Sequence, residues 1–295
     1  MTSVRVIVNP KAGRGRGFAE LRDALAATTL DASFAETRTR GHGVELAAAA
    51  RAEGVDMVVA AGGDGTVHEV VNGLLTETNG EMPVLGVVPL GSGCDYVKTF
   101  GIPQDVPAAV ALLARAKPPA PVDAGEITHA GGQRRFFANI AEVGIGPEVV
   151  DRASRLPRVL GPAMYFAAFC LTLPRFKQRR AQITIAEGTQ DVSLTNLVVA
   201  IGKVFGGGML VAPKADASDG LFDVQIQTGS KTDYVAGIPK VYKGTHVPHP
   251  RISEHRVAHL SITCEPDALI EADGEVLGRT PATFRVLPRV LRLKA

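Results

Sequence analysis

Cysteine is scarce in this 295-residue chain: Cys94, Cys170 and Cys264 lie far apart and show no metal-ligand spacing. They read as reduced thiols, which points to a cytoplasmic protein. A charge excess is missing too, with Lys plus Arg at 32 against Asp plus Glu at 30. Net charge therefore says little about a nucleic-acid partner, a question left to local features; no nucleic-acid partner is expected. The opening run Val4–Pro10 alternates like a strand and lacks the apolar core of a secretion signal. The longest apolar stretch, Val159–Leu173, contains Pro162 and is too short to span a membrane. No internal repeat is present, and Ala47–Ala50 reads as ordinary helix. With 45% hydrophobic and 21% charged residues the composition is globular, and the length fits two domains with separate cores.

What is present falls into two rhythms. Up to about residue 122, short apolar runs alternate with helical patterns. Strands are expected at Val4–Val8, Phe34–Thr37, Asp56–Ala61 and Val84–Val88, and helices at Gly17–Ala27, Val44–Glu53 and Thr66–Leu75. Continuously apolar strands between helices predict a parallel sheet covered on both faces. Ligands of such sheets sit at the carboxyl ends of the strands, where the glycine-rich turns fall. After the stiff segment Pro118-Pro119-Ala120-Pro121, strand-like runs dominate: Arg135–Ala141, Ala181–Ala186, Leu194–Ile201, Leu221–Gln227, Ala258–Thr263, Ala268–Ala272 and Thr283–Val286. They predict an antiparallel β-sandwich with one helical interruption, about 159–173. The expected architecture is therefore an α/β nucleotide-binding domain over 1–122 and an all-β domain over 123–295. Return of the last strand or tail to the first domain stays open.

Three turns leave strand ends at one edge. The first runs Asn9-Pro10-Lys11-Ala12-Gly13-Arg14-Gly15-Arg16-Gly17. Its backbone N–H groups can converge on an anion and Lys11 can add charge, although it also reads as a flexible basic loop. The second, Gly62-Gly63-Asp64-Gly65-Thr66, runs straight into a helix whose N-terminus favours negative charge. Asp64 among phosphates requires a cation between them, which implies Mg²⁺; the plain alternative is a helix-capping Asp. The third is Pro89-Leu90-Gly91-Ser92-Gly93-Cys94-Asp95-Tyr96, where the Ser92 hydroxyl and neighbouring amides would contact phosphate.

Together with these turns, Glu69, Asp123, Phe137-x-Asn139, Gly144, Asp219-Gly220-Leu221-Phe222-Asp223 and Asp273-Gly274-Glu275 resemble the diacylglycerol-kinase-type lipid kinases. That superfamily also holds the sphingosine kinases and the bacterial lipid kinases. The Gly-Gly-Asp-Gly-Thr element is shared with NAD kinases.

The resemblance implies an active site in a cleft between the two domains, using ATP and Mg²⁺. The implied nucleotide contacts are Asn9, Pro10, Lys11, Ala12, Gly13, Thr37, Gly62, Gly63, Asp64, Gly65, Thr66, Val67, His68, Glu69, Gly91, Ser92 and Gly93. Glu275 or Asp273 would accept the proton of the attacking hydroxyl, although Asp273-Gly274-Glu275 is also a natural hairpin turn. A structural Mg²⁺ away from the ATP would use the Asp219 carboxylate with main-chain oxygens near Asp216 and Leu221. Two positions depart from the family pattern: Cys94 and His68 stand where Asn is usual. His68 is expected at the surface or the cleft edge.

The implied reaction is ATP-dependent phosphorylation of a hydroxyl on a lipid or lipid-like alcohol of the diacylglycerol, sphingoid or phosphatidylglycerol class. A kinase for a soluble alcohol (NAD-kinase-like or polyol) and a non-catalytic nucleotide-binding regulator are the competing readings. Intact Asp64, Asp273 and Glu275 argue against the regulator. The apolar run with Met164, Tyr165, Phe166, Phe169 and Leu171, followed by Arg175–Arg180, suits a peripheral contact with the inner face of the membrane. A core helix followed by a solvated charge run fits it as well. A homodimer is left open.

Overall fold

The computed structural model describes residues 2–12, 17–91, 93–157 and 163–295. Two compact units form, one from residues up to 124 together with 288–295, the other from residues 125–287.

The first unit alternates β1 (Ser3–Val8), α1 (Gly17–Ala26), β2 (Asp31–Glu36), α2 (His42–Ala52), β3 (Met57–Gly62), α3 (Asp64–Thr76), β4 (Val84–Pro89), α4 (Asp95–Phe100) and α5 (Val106–Ala114). Its strands pair in parallel in the order β2-β1-β3-β4. Every residue of the apolar run β3 is buried, as a central parallel strand covered on both faces demands. The strand ends are level. Thr37 N donates to Val8 O at 2.9 Å, Asn9 N to Ala61 O at 3.1 Å and Leu90 N to Gly62 O at 3.1 Å. α5 begins with Asp105, whose carboxylate accepts the Ala108 N–H at 2.9 Å, an N-cap that the sequence reading passed over.

From β5 (Ala120–His129) the chain enters the second unit: β6 (Arg134–Phe137), β7 (Ile140–Gly144), α6 (Ile145–Ser154), α7 (Ala163–Thr172), β8 (Arg179–Ile185), β9 (Gly188–Leu194) and β10 (Asn196–Ala200). The short β11 (Val204–Phe205) and β12 (Met209–Leu210) follow, then β13 (Phe222–Gln227), α8 (Lys231–Tyr242), β14 (Ile252–Val257), β15 (His259–Glu265), β16 (Leu269–Ala272), β17 (Glu275–Arg279) and β18 (Ala282–Leu293). One antiparallel sheet runs β14-β13-β10-β7-β16-β17. β8 pairs with β9 and β15, and β15 with the start of β18. Residues from both sets share one core that includes Phe137, Leu197, Phe222, Leu260 and Phe284. The rings of Phe137 and Phe222 stack with centroids 5.8 Å apart. The fold is thus an α/β unit followed by an antiparallel sandwich, as the alternation of patterns predicts.

Past Pro288 the chain returns to the first unit. Arg292 and Leu293 of β18 pair in parallel with Val84 and Leu85 of β4. Lys294 N donates to Leu85 O at 2.9 Å, and its ammonium reaches the carbonyls of Arg115 and Lys117 at 2.6 and 2.5 Å. Arg289 N donates to the fully buried Asp123 at 2.7 Å.

Three expectations need correction. The run Arg135–Ala141 is two strands, because the N–H groups of Ala138 and Asn139 turn toward the Asp273 carboxylate instead of continuing a ladder. Among the described residues the second unit holds three helices rather than one, α6, α7 and α8; residues 159–162 of the expected helix lie outside them. The stiff Pro-rich segment between the two patterns is in part already strand, since β5 begins at Ala120.

Candidate active site

In the first unit the parallel register brings the turn after β1, the turn after β3 and the turn after β4 to one edge. The first is shaped by Asn9, whose side-chain oxygen accepts the Lys11 N–H at 3.0 Å while its carbonyl accepts Ala12 N–H at 3.0 Å. Lys11 is exposed. Gly13 and Ser92, both expected at the phosphates, lie outside the described residues.

In the second turn Gly62 is required sterically. A Cβ there would lie 2.2 Å from the Thr66 hydroxyl, which folds back over the strand end. Asp64 opens α3 and turns its carboxylate to α4, accepting Asp95 N–H and Tyr96 N–H, each at 3.0 Å. It therefore caps one helix from the first turn of another and ties the second turn to the third. The capping alternative for Asp64 is realised, at a helix other than its own. Its carboxylate oxygens are hard donors of the kind Mg²⁺ takes. In that respect the donor set fits the implied ion.

Cys94, buried before α4, has its thiol pushed well above the usual range by burial and then by the neighbouring Asp64 charge. The group standing in place of Asn is therefore a neutral thiol.

Other sequence assignments on α3 change. Val67 and His68 are buried, at 2% and 7% exposure. His68 faces the interior beside Asn72, 3.3 Å away, and is not at the surface. The Glu69 carboxylate accepts Gly41 N–H at 2.7 Å and Gly43 N–H at 2.8 Å, so it fixes the start of α2 and the loop after Thr37.

In the second unit the acidic turn joins β16 to β17. Asp273 and Gly274 both adopt left-handed backbone, at φ 53° and 86°. The Asp273 carboxylate accepts the N–H groups of Ala138 and Asn139, each at 3.0 Å, and of Ile140 at 3.3 Å, and the residue is buried. Three backbone donors on one carboxylate make it a strut that ties the turn to residues 138–140. Glu275, two residues on at the start of β17, is half-buried.

The remote metal position is arranged differently from the implied one. Asp219 caps Leu221 N–H at 2.9 Å with one oxygen and pairs with Arg256 through the other. Arg256 also lies 4.0 Å from Asp223. Asp216 is turned to the Ser218 N–H and hydroxyl, at 3.0 and 2.8 Å. A guanidinium supplies the positive charge here, so as arranged these residues do not fit a metal ion. Among the described residues no group of three or more His, Cys, Asp or Glu side chains is placed to hold one.

The sequence reading missed two buried glutamates, Glu142 on β7 and Glu271 on β16. Glu271 carried a signal: it precedes the acidic turn at the same every-second-residue spacing, Glu271-x-Asp273-x-Glu275.

Parallel strand ends with glycine turns, a helix N-terminus and a capping Asp define a phosphate-handling class of protein. Family models agree: the "Diacylglycerol kinase catalytic domain" matches residues 3–127 and the "YegS C-terminal NAD kinase beta sandwich-like domain" residues 139–295. A diacylglycerol kinase of Mycobacterium tuberculosis is 29% identical over 299 residues, covering 98% of this chain and 94% of the relative. One from Staphylococcus aureus is 29% identical over 290 residues, covering 97% and 90%. A solved diacylglycerol kinase structure from Bacillus anthracis aligns with a TM-score of 0.74 at 22% identity, covering 99% and 96%. A second solved chain from that organism reaches 0.82 at 24%, covering 99% and 94%. The chain belongs to the diacylglycerol-kinase-type family of lipid kinases.

Proposed function

We propose that this kinase transfers the γ-phosphate of ATP to the hydroxyl of a lipid or lipid-like alcohol of the diacylglycerol, sphingoid or phosphatidylglycerol class. The observation that carries the reading is the gathering of the Asn9, Gly62 and Gly91 turns at one strand edge, with the N-terminus of α3 opening there. Backbone N–H groups of these turns bind the phosphate oxygens, and Lys11 adds a point charge. When bound at Asp64, Mg²⁺ neutralises charge on the phosphates. Glu275 accepts the proton of the attacking hydroxyl as the new O–P bond forms and ADP leaves. Asp273 holds the turn that carries it.

The acceptor is presented at a membrane surface. α7 exposes Tyr165, Phe166 and Leu171, at 50%, 71% and 43%, so it is not a core helix. Arg175, Lys177 and Arg180 follow on exposed positions. An apolar face beside cations suits the boundary of an anionic bilayer. Among the described residues no helix is long and apolar enough to cross one.

A labelled-ATP assay against diacylglycerol, phosphatidylglycerol, a sphingoid base and an isoprenoid alcohol in mixed micelles tests the reading. Mg²⁺-dependent label in at least one lipid is expected. Label only in NAD or a polyol would replace it with the soluble-alcohol reading, and label in nothing with the regulator.

A further inference from the structure

β7 and β16 are antiparallel neighbours, and their register sets Glu142 directly opposite Glu271. Strand alternation explains where they point. Ala141, Val143, Ile270 and Ala272 face the sandwich core, whereas Ile140 packs in the separate small cluster with Val198 and Ala200. Glu142 and Glu271 share that second face. Directly opposed side chains have Cβ atoms about 4.5–5.5 Å apart, within reach of one another's carboxyl groups.

Both are buried, Glu271 completely, and no Lys or Arg ion pair to either is present among the described residues. One Glu142 oxygen accepts the Asn196 side-chain N–H at 2.9 Å. The other lies against Gly146, where a Cβ would be only 2.1 Å from it. One Glu271 oxygen accepts the Gly274 N–H at 3.0 Å; the other is buried without a partner. Two bare carboxylates in such a place repel one another and lack water, so both cannot be charged. A proton between them removes the repulsion and gives the orphaned Glu271 oxygen its bond.

We propose that Glu142 and Glu271 form one carboxyl pair sharing a proton, and that the pair positions the Asp273–Glu275 turn through the Glu271 bond to Gly274. Glu271 is then a positioning residue. The inference rests on the reading of Glu275 as proton acceptor. Burial pushes Glu142 up to about 7, and burial, then Glu142, pushes Glu271 well above the ordinary carboxyl range.

The surroundings hold few competing charges. Tyr234 of α8 faces Glu142, and Asp273 adds its charge near Glu271. α6, packed over β7, β16 and β17, carries Glu148, Asp151 and Arg152. These are taken up by Arg179, by Arg155 and by the Thr172 hydroxyl, at 2.8, 2.8 and 2.9 Å. β17 carries Glu275 itself.

The test uses the full chain with Glu142→Gln, Glu271→Gln and Glu271→Leu. A Gln amide can donate where the shared proton did, whereas Leu leaves the Gly274 N–H without an acceptor. Glu271→Leu should lower kcat at least tenfold with KM for Mg-ATP within about twofold, and Glu271→Gln should recover most of that loss. The alkaline fall of kcat in the unmodified protein should move upward by at least one pH unit in Glu142→Gln. Superimposable alkaline limbs, or unchanged kcat in a folded Glu271→Leu, would overturn the proposal. If Glu271→Leu does not fold, the Glu142→Gln profile decides alone.

A ¹³C-carboxyl NMR titration reads the pair without activity: two glutamate carbons should titrate late in the unmodified protein, and one late signal should vanish in each Gln variant. Two ordinary titrations would refute the pair. Full activity of Glu275→Gln, with the late signals intact, would instead refute the assignment of the base.

Discussion

At the scale of single residues, Asp64 joins its proposed role at the phosphates to an observed structural one. On an exposed turn, Asp64→Ala would remove activity and leave the fold untouched. Its two bonds to the first N–H groups of α4 change that expectation. Losing a helix cap costs about 1–2 kcal/mol, so Asp64→Ala should lower the thermal midpoint by several degrees as well as abolish transfer. Full activity at saturating Mg-ATP would remove Asp64 from the phosphate site. An unchanged midpoint would say that the cap contributes nothing.

On the proposed reading, the acidic turn divides the same two roles between neighbours. Glu275→Gln should reduce kcat by roughly 10²-fold or more, the usual scale for a positioned base, with little change in thermal midpoint. Asp273→Asn puts an amide against three backbone donors, and an unsatisfied buried donor costs about 1–3 kcal/mol. Its midpoint should therefore fall measurably. Equal midpoints for the two variants, by circular dichroism, would reject this division.

Elements show how far the sequence could be read. The buried run Met57–Gly62 and its following turn were legible because a wholly apolar strand and a glycine cluster admit few alternatives. Asp273 was legible as part of a hairpin turn. Its reach back to Ala138–Ile140 across more than 130 residues was not, since nothing local marks where a strand's N–H groups turn aside. Glu69 was placed among the nucleotide contacts through the family resemblance. Only the packing of α2 on α3 reveals the two N–H groups it caps.

α7 and its basic neighbours carry a prediction at this scale. Arg179 belongs to β8 and pairs with Glu148 at 2.8 Å, so it is left in place. Changing Arg175, Lys177 and Arg180 to Gln should weaken binding to phosphatidylglycerol vesicles by about 1 kcal/mol each. KM should rise for a vesicle-borne acceptor and stay level for a short-chain one dissolved in water. Equal loss on both acceptors would assign the cluster to the fold.

For the whole molecule, the decisive feature is a chain that leaves the first unit within β5 and comes back within β18. Removing residues 288–295 takes away the strand beside β4, the acceptor-seeking ammonium of Lys294 and the Arg289 N–H bound to buried Asp123. The truncated protein should show β4 as a bare edge, with a lower midpoint and self-association by light scattering. A monomer of unchanged stability would mean that the return adds nothing.

That return also sets a timetable. As a ribosome makes this chain, the first unit has most of its sheet once about 120 residues are out, yet its last strand has still to be made. All of residues 125–287 come first. At about 5–20 residues per second this means a wait on the order of ten to thirty seconds, far longer than small domains take to fold. The nascent first unit must spend that interval with β4 unguarded, so it is the stage at which holding chaperones would have most to gain from it.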